Sequence, residues 1–161
     1  MKKALLFLFV SFAFLLTANS QNVSKNAIGL RLGDNDGFGT EINYQRGLSE
    51  SNRLEFGLSW HGHDKFNSFK LVGLYQWVFP LDGNFNWYVG AGGGVGQVNF
   101  DDDFPGDPDD ETFILAAGDI GIEYNFNIPL LLSLDFSPEI GFGDYRDDFD
   151  FDLGLGIRYQ F

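Results

Sequence analysis

No cysteine occurs in the 161 residues, so no disulfide framework is available and no lipoprotein anchor can be attached. No apolar run reaches the ~20 residues that a spanning helix needs. Bases are scarce: 10 Lys and Arg stand against 23 Asp and Glu, for a formal net charge of -13. Such a chain repels polyanions, which excludes nucleic acid as a partner. Only two histidines are present, and no Ser–His–acid set with an oxyanion hole can be assembled around Ser59 and His61. What is abundant is glycine, at 21 residues, and aromatics, at 17%.

The first residues read as an export signal. Lys2 and Lys3 precede an apolar stretch from Ala4 to Leu16, interrupted only by Ser11. Ala18 and Ser20 are the small residues a signal peptidase reads, placing the cut before Gln21. Residues 1–20 are thus expected to be removed, leaving 21–161 as one domain.

That domain is a series of period-two stretches. Residues 150–161, DFDLGLGIRYQF, put Phe151, Leu153, Leu155, Ile157, Tyr159 and Phe161 on one face and Asp152, Gly154, Gly156, Arg158 and Gln160 on the other. The same alternation occurs over 27–33, 38–46, 53–61, 68–79, 85–98, 113–126 and 130–140. This predicts eight strands. Short connections (47–52, 80–84, 127–129) alternate with longer, more charged ones (34–37, 62–67, 99–112, 141–148), which fits an up-and-down antiparallel barrel.

An eight-stranded lumen is only just wide enough for side chains, so several large residues per strand would overpack it. The apolar faces are therefore expected outside, and the glycine-rich polar faces inside. A hairpin through 80–84 sets Val72 roughly opposite Gly92 and Leu74 opposite Gly90, large against small. Outward aromatics gather near both strand ends: Tyr44, Trp77, Trp87, Tyr124 and Tyr159 at one, Phe38, Trp60 and Phe149 at the other. Two such girdles mark water–lipid interfaces.

The terminal IRYQF, with Tyr159 and Phe161, resembles the C-terminal signal of Gram-negative outer-membrane barrels. In size and layout the chain is similar to the OmpA/OmpX-like barrels. The resemblance implies an outer-membrane location, recognition of Tyr159 and Phe161 by the barrel assembly machinery, and closure of the last strand on the first. It also implies both ends in the periplasm, outer loops in contact with lipopolysaccharide, and a monomer.

The inward faces carry Arg31, Glu41, Arg53, Glu55, Lys70, Asp119, Glu123, Asp135, Glu139, Asp152 and Arg158. Charges inside a barrel must be paired. A hairpin over 34–37 sets Arg31 opposite Glu41 as an ion pair, and Asp119, Glu123 and Asp135 are expected near one another, facing bases across the lumen. The lumen is then a salt-bridged plug. The competing reading is a small gated pore, cation-selective because acids outnumber bases.

His61 and His63 in HGHD could hold a metal with Asp64, although two histidines at a loop edge read first as solvated. The acidic run DDDFPGDPDDE carries Asp101, Asp102, Asp103, Asp107, Asp109, Asp110 and Glu111. It is either a solvated loop, a calcium site, or a place where divalent cations bridge to lipopolysaccharide. DNDG at 34–37 has half the pattern of a calcium loop and lacks its closing acid. No other cofactor is expected. The functional expectation is a structural or surface-interaction role: envelope integrity, adhesion, or cation and lipopolysaccharide contact. A gated pore comes second and a lipid-modifying enzyme third.

Overall fold

The computed structural model describes residues 23–33, 39–63, 66–100, 111–142 and 148–161, with backbone only at 61–63, 66 and 100. The signal segment, Phe38, Asp64 and most of the acidic run lie outside these residues.

Eight antiparallel strands close into a barrel in chain order: β1 Asn26–Leu32, β2 Thr40–Gly47, β3 Asn52–His63, β4 Phe66–Asp82, β5 Phe85–Phe100, β6 Glu111–Asn125, β7 Leu130–Phe142 and β8 Phe149–Gln160. All eight predicted strands are present, several of them longer toward the long-loop end. The ring closes where β1 pairs with β8, from Ala27↔Gln160 to Leu32↔Leu155. Asn26 and Phe161 extend this seam, each main-chain N–H donating to the other's carbonyl at 3.1 and 2.9 Å.

The alternation sorts as expected, apolar outward and polar inward. Among the described residues, thirty large apolar or aromatic side chains are exposed, Ile114, Leu134, Leu153 and Leu155 among them, whereas the buried apolar set has ten members. A water-facing surface does not carry a contiguous band of that size. Aromatics cluster at the short-turn end, where Phe79 stacks on Trp87 at 4.6 Å and Phe85 meets Tyr124 edge-on at 4.7 Å. At the other end Trp60 and Phe149 are exposed.

The β4–β5 hairpin differs from its predicted register by two residues. Val72 faces Gly94 and Leu74 faces Gly92, rather than Gly92 and Gly90. Pairing continues to Asp82 and Phe85, leaving a two-residue turn at Gly83 and Asn84 with a register shift between Pro80 and Asp82. Gly83 has φ +54°, left-handed backbone that glycine adopts without strain. This moves the hairpin's centre by one residue and each partner by two. An even slip keeps every side chain on its face, so large still meets small.

Between β6 and β7 the ladder lapses without a register change. Pairing runs to Ala117↔Glu139 and resumes at Ile120↔Phe136, skipping Gly118 and Asp119. Pro138 lies in this gap and has no N–H to give.

Candidate functional site: the lumen

The polar interior is built by cross-strand pairing of long side chains with glycine. Arg158 faces Gly29, Asn43 faces Gly57, Gln76 faces Gly90 and Asp135 faces Gly154. A Cβ at Gly154 would run into the Arg31 guanidinium, so that glycine is what lets Arg31 lie across the wall.

In the short-turn half, two guanidiniums reach across the lumen. Arg53, on β3, reaches β6, where its Nη1 lies 2.8 Å from Glu123 Oε2. Its Nε donates to Gln76 Oε1, and its Cζ stands 4.9 Å from the centre of the Tyr88 ring. Gln76 passes the contact on by donating to Asp119 Oδ2. Asn86 Nδ2 donates to Glu123 at 3.1 Å. Arg158, on β8, donates through Nε to Asn43 and through Nη1 to Ser133 Oγ at 2.7 Å, with Nη2 3.4 Å from Glu55 Oε2. Glu55 also accepts from Gln45 Nε2. Arg53, Arg158, Glu55 and Glu123 are all buried, as is Tyr88, whose Oη donates to Asp135 Oδ2 at 3.2 Å.

In the long-loop half, Arg31 forks. Its Nε and Nη2 donate to Asp135 Oδ1 at 2.8 and 2.6 Å, and its Nη1 donates to Asp152 Oδ2 at 2.6 Å. Lys70 spans from β4 to β7, donating to both carboxylate oxygens of Glu139 at 2.9 and 3.0 Å. Around these lies a small cavity of about 30 Å³, with Glu41, Ser59 and Lys70 on one part of its wall and Val72, Leu74 and Ala117 on another. The apolar part continues into a buried cluster with Val98, Phe113 and Leu115.

Arg31 and Glu41 are cross-strand partners, as the hairpin predicts, but not an ion pair. Arg31 turns to Asp135 and Asp152, and Glu41 instead accepts from Asn43 Nδ2 at 3.0 Å and from Ser59 Oγ at 3.4 Å. Glu123 and Asp135 face the bases Arg53 and Arg31 as expected, whereas Asp119 accepts from Gln76 and pairs with no base among the described residues. Tyr88, Gln76, Asn43, Gln45, Asn86 and Ser133 belong to the same network and were not among the predicted site residues. The inward parity that singled out the charges applies equally to them.

His61 and His63 fall in the last part of β3, and Glu111 is the first residue of β6, opposite Val98. Asp101, Asp102, Asp103, Asp107, Asp109 and Asp110 lie outside the described residues. Tyr159 is exposed on the outer face, its ring 6.2 Å from that of Phe161.

No protein-family model matches the sequence, and no curated protein matches it significantly. Solved structures do. The N-terminal β-barrel domain of Pseudomonas aeruginosa OprF superposes with a TM-score of 0.66 at 15% identity, over 86% of this chain and 100% of that one. Ail, the attachment invasion locus protein of Yersinia pestis, gives 0.59 at 16% identity over 86% and 97%. Ail is also solved in complex with the heparin analogue sucrose octasulfate. A de novo designed transmembrane β-barrel gives 0.55 at 16% over 88% and 99%. At such identities the likeness is one of architecture: this chain has the fold of the small eight-stranded outer-membrane barrels.

Proposed function

We propose that the chain is a bacterial outer-membrane barrel with a sealed lumen, working at the cell surface through its long, acidic loops. The observation that carries this is that Arg53 and Arg158 each reach across the short-turn half to a carboxylate on another strand, with the Tyr88 ring beside Arg53. Water passes only where such struts part. What stays open is the cavity beside Arg31, Glu41 and Lys70, on the side of the long loops.

The loop chemistry favours cations. Residues 101–111 carry seven carboxylates and no base, so this surface repels polyanions such as the sulfated ligand solved with Ail. Divalent cations held there would bridge to anionic lipopolysaccharide, supporting envelope integrity or adhesion. On this reading Tyr159 and Phe161 are the signal for the assembly machinery, the short turns face the periplasm, and the barrel is a monomer.

The test is single-channel recording from the refolded barrel in a planar bilayer, with and without calcium. A silent membrane and calcium-dependent binding to lipopolysaccharide, lost when Asp101, Asp102 and Asp103 become Asn, support the surface role. Discrete cation-selective openings would overturn the sealed lumen. They would favour a gated pore, a reading supported by the seven acids and four bases that follow one another along the lumen. Loss of lipid-A acyl chains on incubation would instead favour an enzyme.

A further inference from the structure

Six of the described residues are Lys or Arg. Four of these, Arg31, Arg53, Lys70 and Arg158, are inside the barrel. The other two, Lys25 and Arg46, are exposed, and both are at the short-turn rim beside the closing seam. Asn26 is the cross-strand partner of Arg46, and Gly47 N–H donates to Lys25 O at 3.0 Å, so the two residues lie on paired stretches of backbone. On a chain of net charge -13, this is the place where described positive charge meets the surroundings.

The position of Arg46 matters as much as its charge. Tyr44, Ile28 and Tyr159 form one outward row across β2, β1 and β8. Arg46 and Asn26 form the next row toward the rim, with Phe161 bonded to Asn26 beyond. A tyrosine row marks the depth at which hydrocarbon gives way to headgroups, so a guanidinium one row further out is at phosphate depth. Apolar side chains of the same strands, Leu30 and Ile157 among them, are exposed below it, a wall for acyl chains.

The guanidinium is also set in place. Arg46 Nη1 donates to Asn26 Oδ1 at 2.7 Å, Tyr44 Oη donates to the same oxygen at 2.9 Å, and Asn26 Nδ2 donates to Phe161 O at 3.4 Å. Among the described residues no carboxylate pairs with Arg46; the nearest acid along the chain, Glu50, is in the following turn. One N–H group is used for positioning, and the rest of the planar fork is left for an oxyanion of matching geometry.

We propose that Arg46, positioned by Asn26 and Tyr44 and seconded by Lys25, is a headgroup site for an anionic phospholipid in the leaflet at the short-turn end. The proposal rests on the membrane reading above. The experiment is native mass spectrometry of the full barrel released from nanodiscs of phosphatidylglycerol and phosphatidylcholine in equal parts. The wild type should retain phosphatidylglycerol in about fivefold preference. Arg46→Gln should abolish that preference, Asn26→Ala should weaken it, and Arg46→Lys should keep only part. The double variant Arg46→Gln/Glu50→Gln restores the wild-type net charge and should stay without preference. Equal retention of both lipids by the wild type, or recovery of preference in the double variant, overturns the site and leaves the membrane reading intact. A barrel that does not enter nanodiscs at all overturns the membrane reading itself.

Discussion

The ring of Tyr88 lies over the Cα of Gly121, its cross-strand partner: a Cβ added at Gly121 would come within 2.6 Å of both Cζ and Oη of the tyrosine. Tyr88 is fully buried, with the Arg53 guanidinium near its ring and Asp135 accepting from its hydroxyl. The glycine is therefore the seat of the central aromatic in the lumen. Gly121→Val should force Tyr88 aside and cost about 1–3 kcal/mol by overpacking. Urea unfolding in lipid vesicles measures this, and Gly121→Val/Tyr88→Ala should recover only the part of the loss due to the ring, because the Leu134 carbonyl oxygen, 2.8 Å from the same Cβ, stays in place.

Asp119 and Glu123, two carboxylates on the same strand β6, should respond in opposite ways to neutralisation. Glu123 is the ion-pair partner of the buried Arg53, so Glu123→Ala strands a guanidinium and should cost about 3–5 kcal/mol. Asp119 has no base within ion-pair distance among the described residues; it accepts from Gln76 through Oδ2, while its buried Oδ1 has no hydrogen-bond partner there. Asp119→Asn keeps an oxygen for Gln76 and removes an unpaired charge. Its unfolding midpoint should equal or exceed that of the wild type.

Lys70 and Glu139 join opposite walls of the lumen, and both side chains are buried. Lys70→Ala and Glu139→Ala should each destabilise the barrel, and the double variant should lose less than their sum. A double-mutant cycle read by the same unfolding measurement should give a coupling of about 0.5–3 kcal/mol. Strict additivity would show that the strut contributes nothing as a pair.

Leu134 and Ser133 are adjacent in β7 and face opposite ways, Leu134 exposed and Ser133 buried in the lumen beside Arg158. Leu134→Arg places a charge on the apolar exterior, at a cost of about 2–4 kcal/mol near mid-bilayer. The same substitution should change little when the barrel is held in a micelle thin enough for the guanidinium to reach water. Comparing unfolding in vesicles with that in short-chain detergent checks the assignment of faces.

Period two made the strands and their faces legible because parity survives small errors in register. The β4–β5 hairpin shows this: Val72 meets Gly94 rather than Gly92, yet it stays inside against a glycine. The turn at Gly83 and Asn84 fixes the register, and alternation alone does not reveal how tightly a turn closes. Partners inside the lumen were less legible for a different reason. Cross-strand neighbours follow from counting, which correctly set Arg31 opposite Glu41. A guanidinium chooses by reach, and the absent side chain at Gly154 lets this one extend past β8 to Asp135 on β7. Likewise Arg53 finds Glu123 three strands away, a distance along the chain that no local pattern encodes. The neutral members of the network escaped notice because attention to charge passes over Asn43, Gln76 and Tyr88, which do as much of the bonding.

Because Asn26 and Phe161 exchange main-chain hydrogen bonds, the two sides of the closing seam are as near as any adjacent strands. In the folded ring the passage from residue 161 back to residue 26 is equivalent to one more short-turn hairpin. A few linking residues there, with the chain opened instead between Leu48 and Ser51, would produce a circular permutant with the same cyclic order of strands. Its folded form should carry the same lumen, Arg53, Arg158 and Tyr88 included, although β3 would then come first.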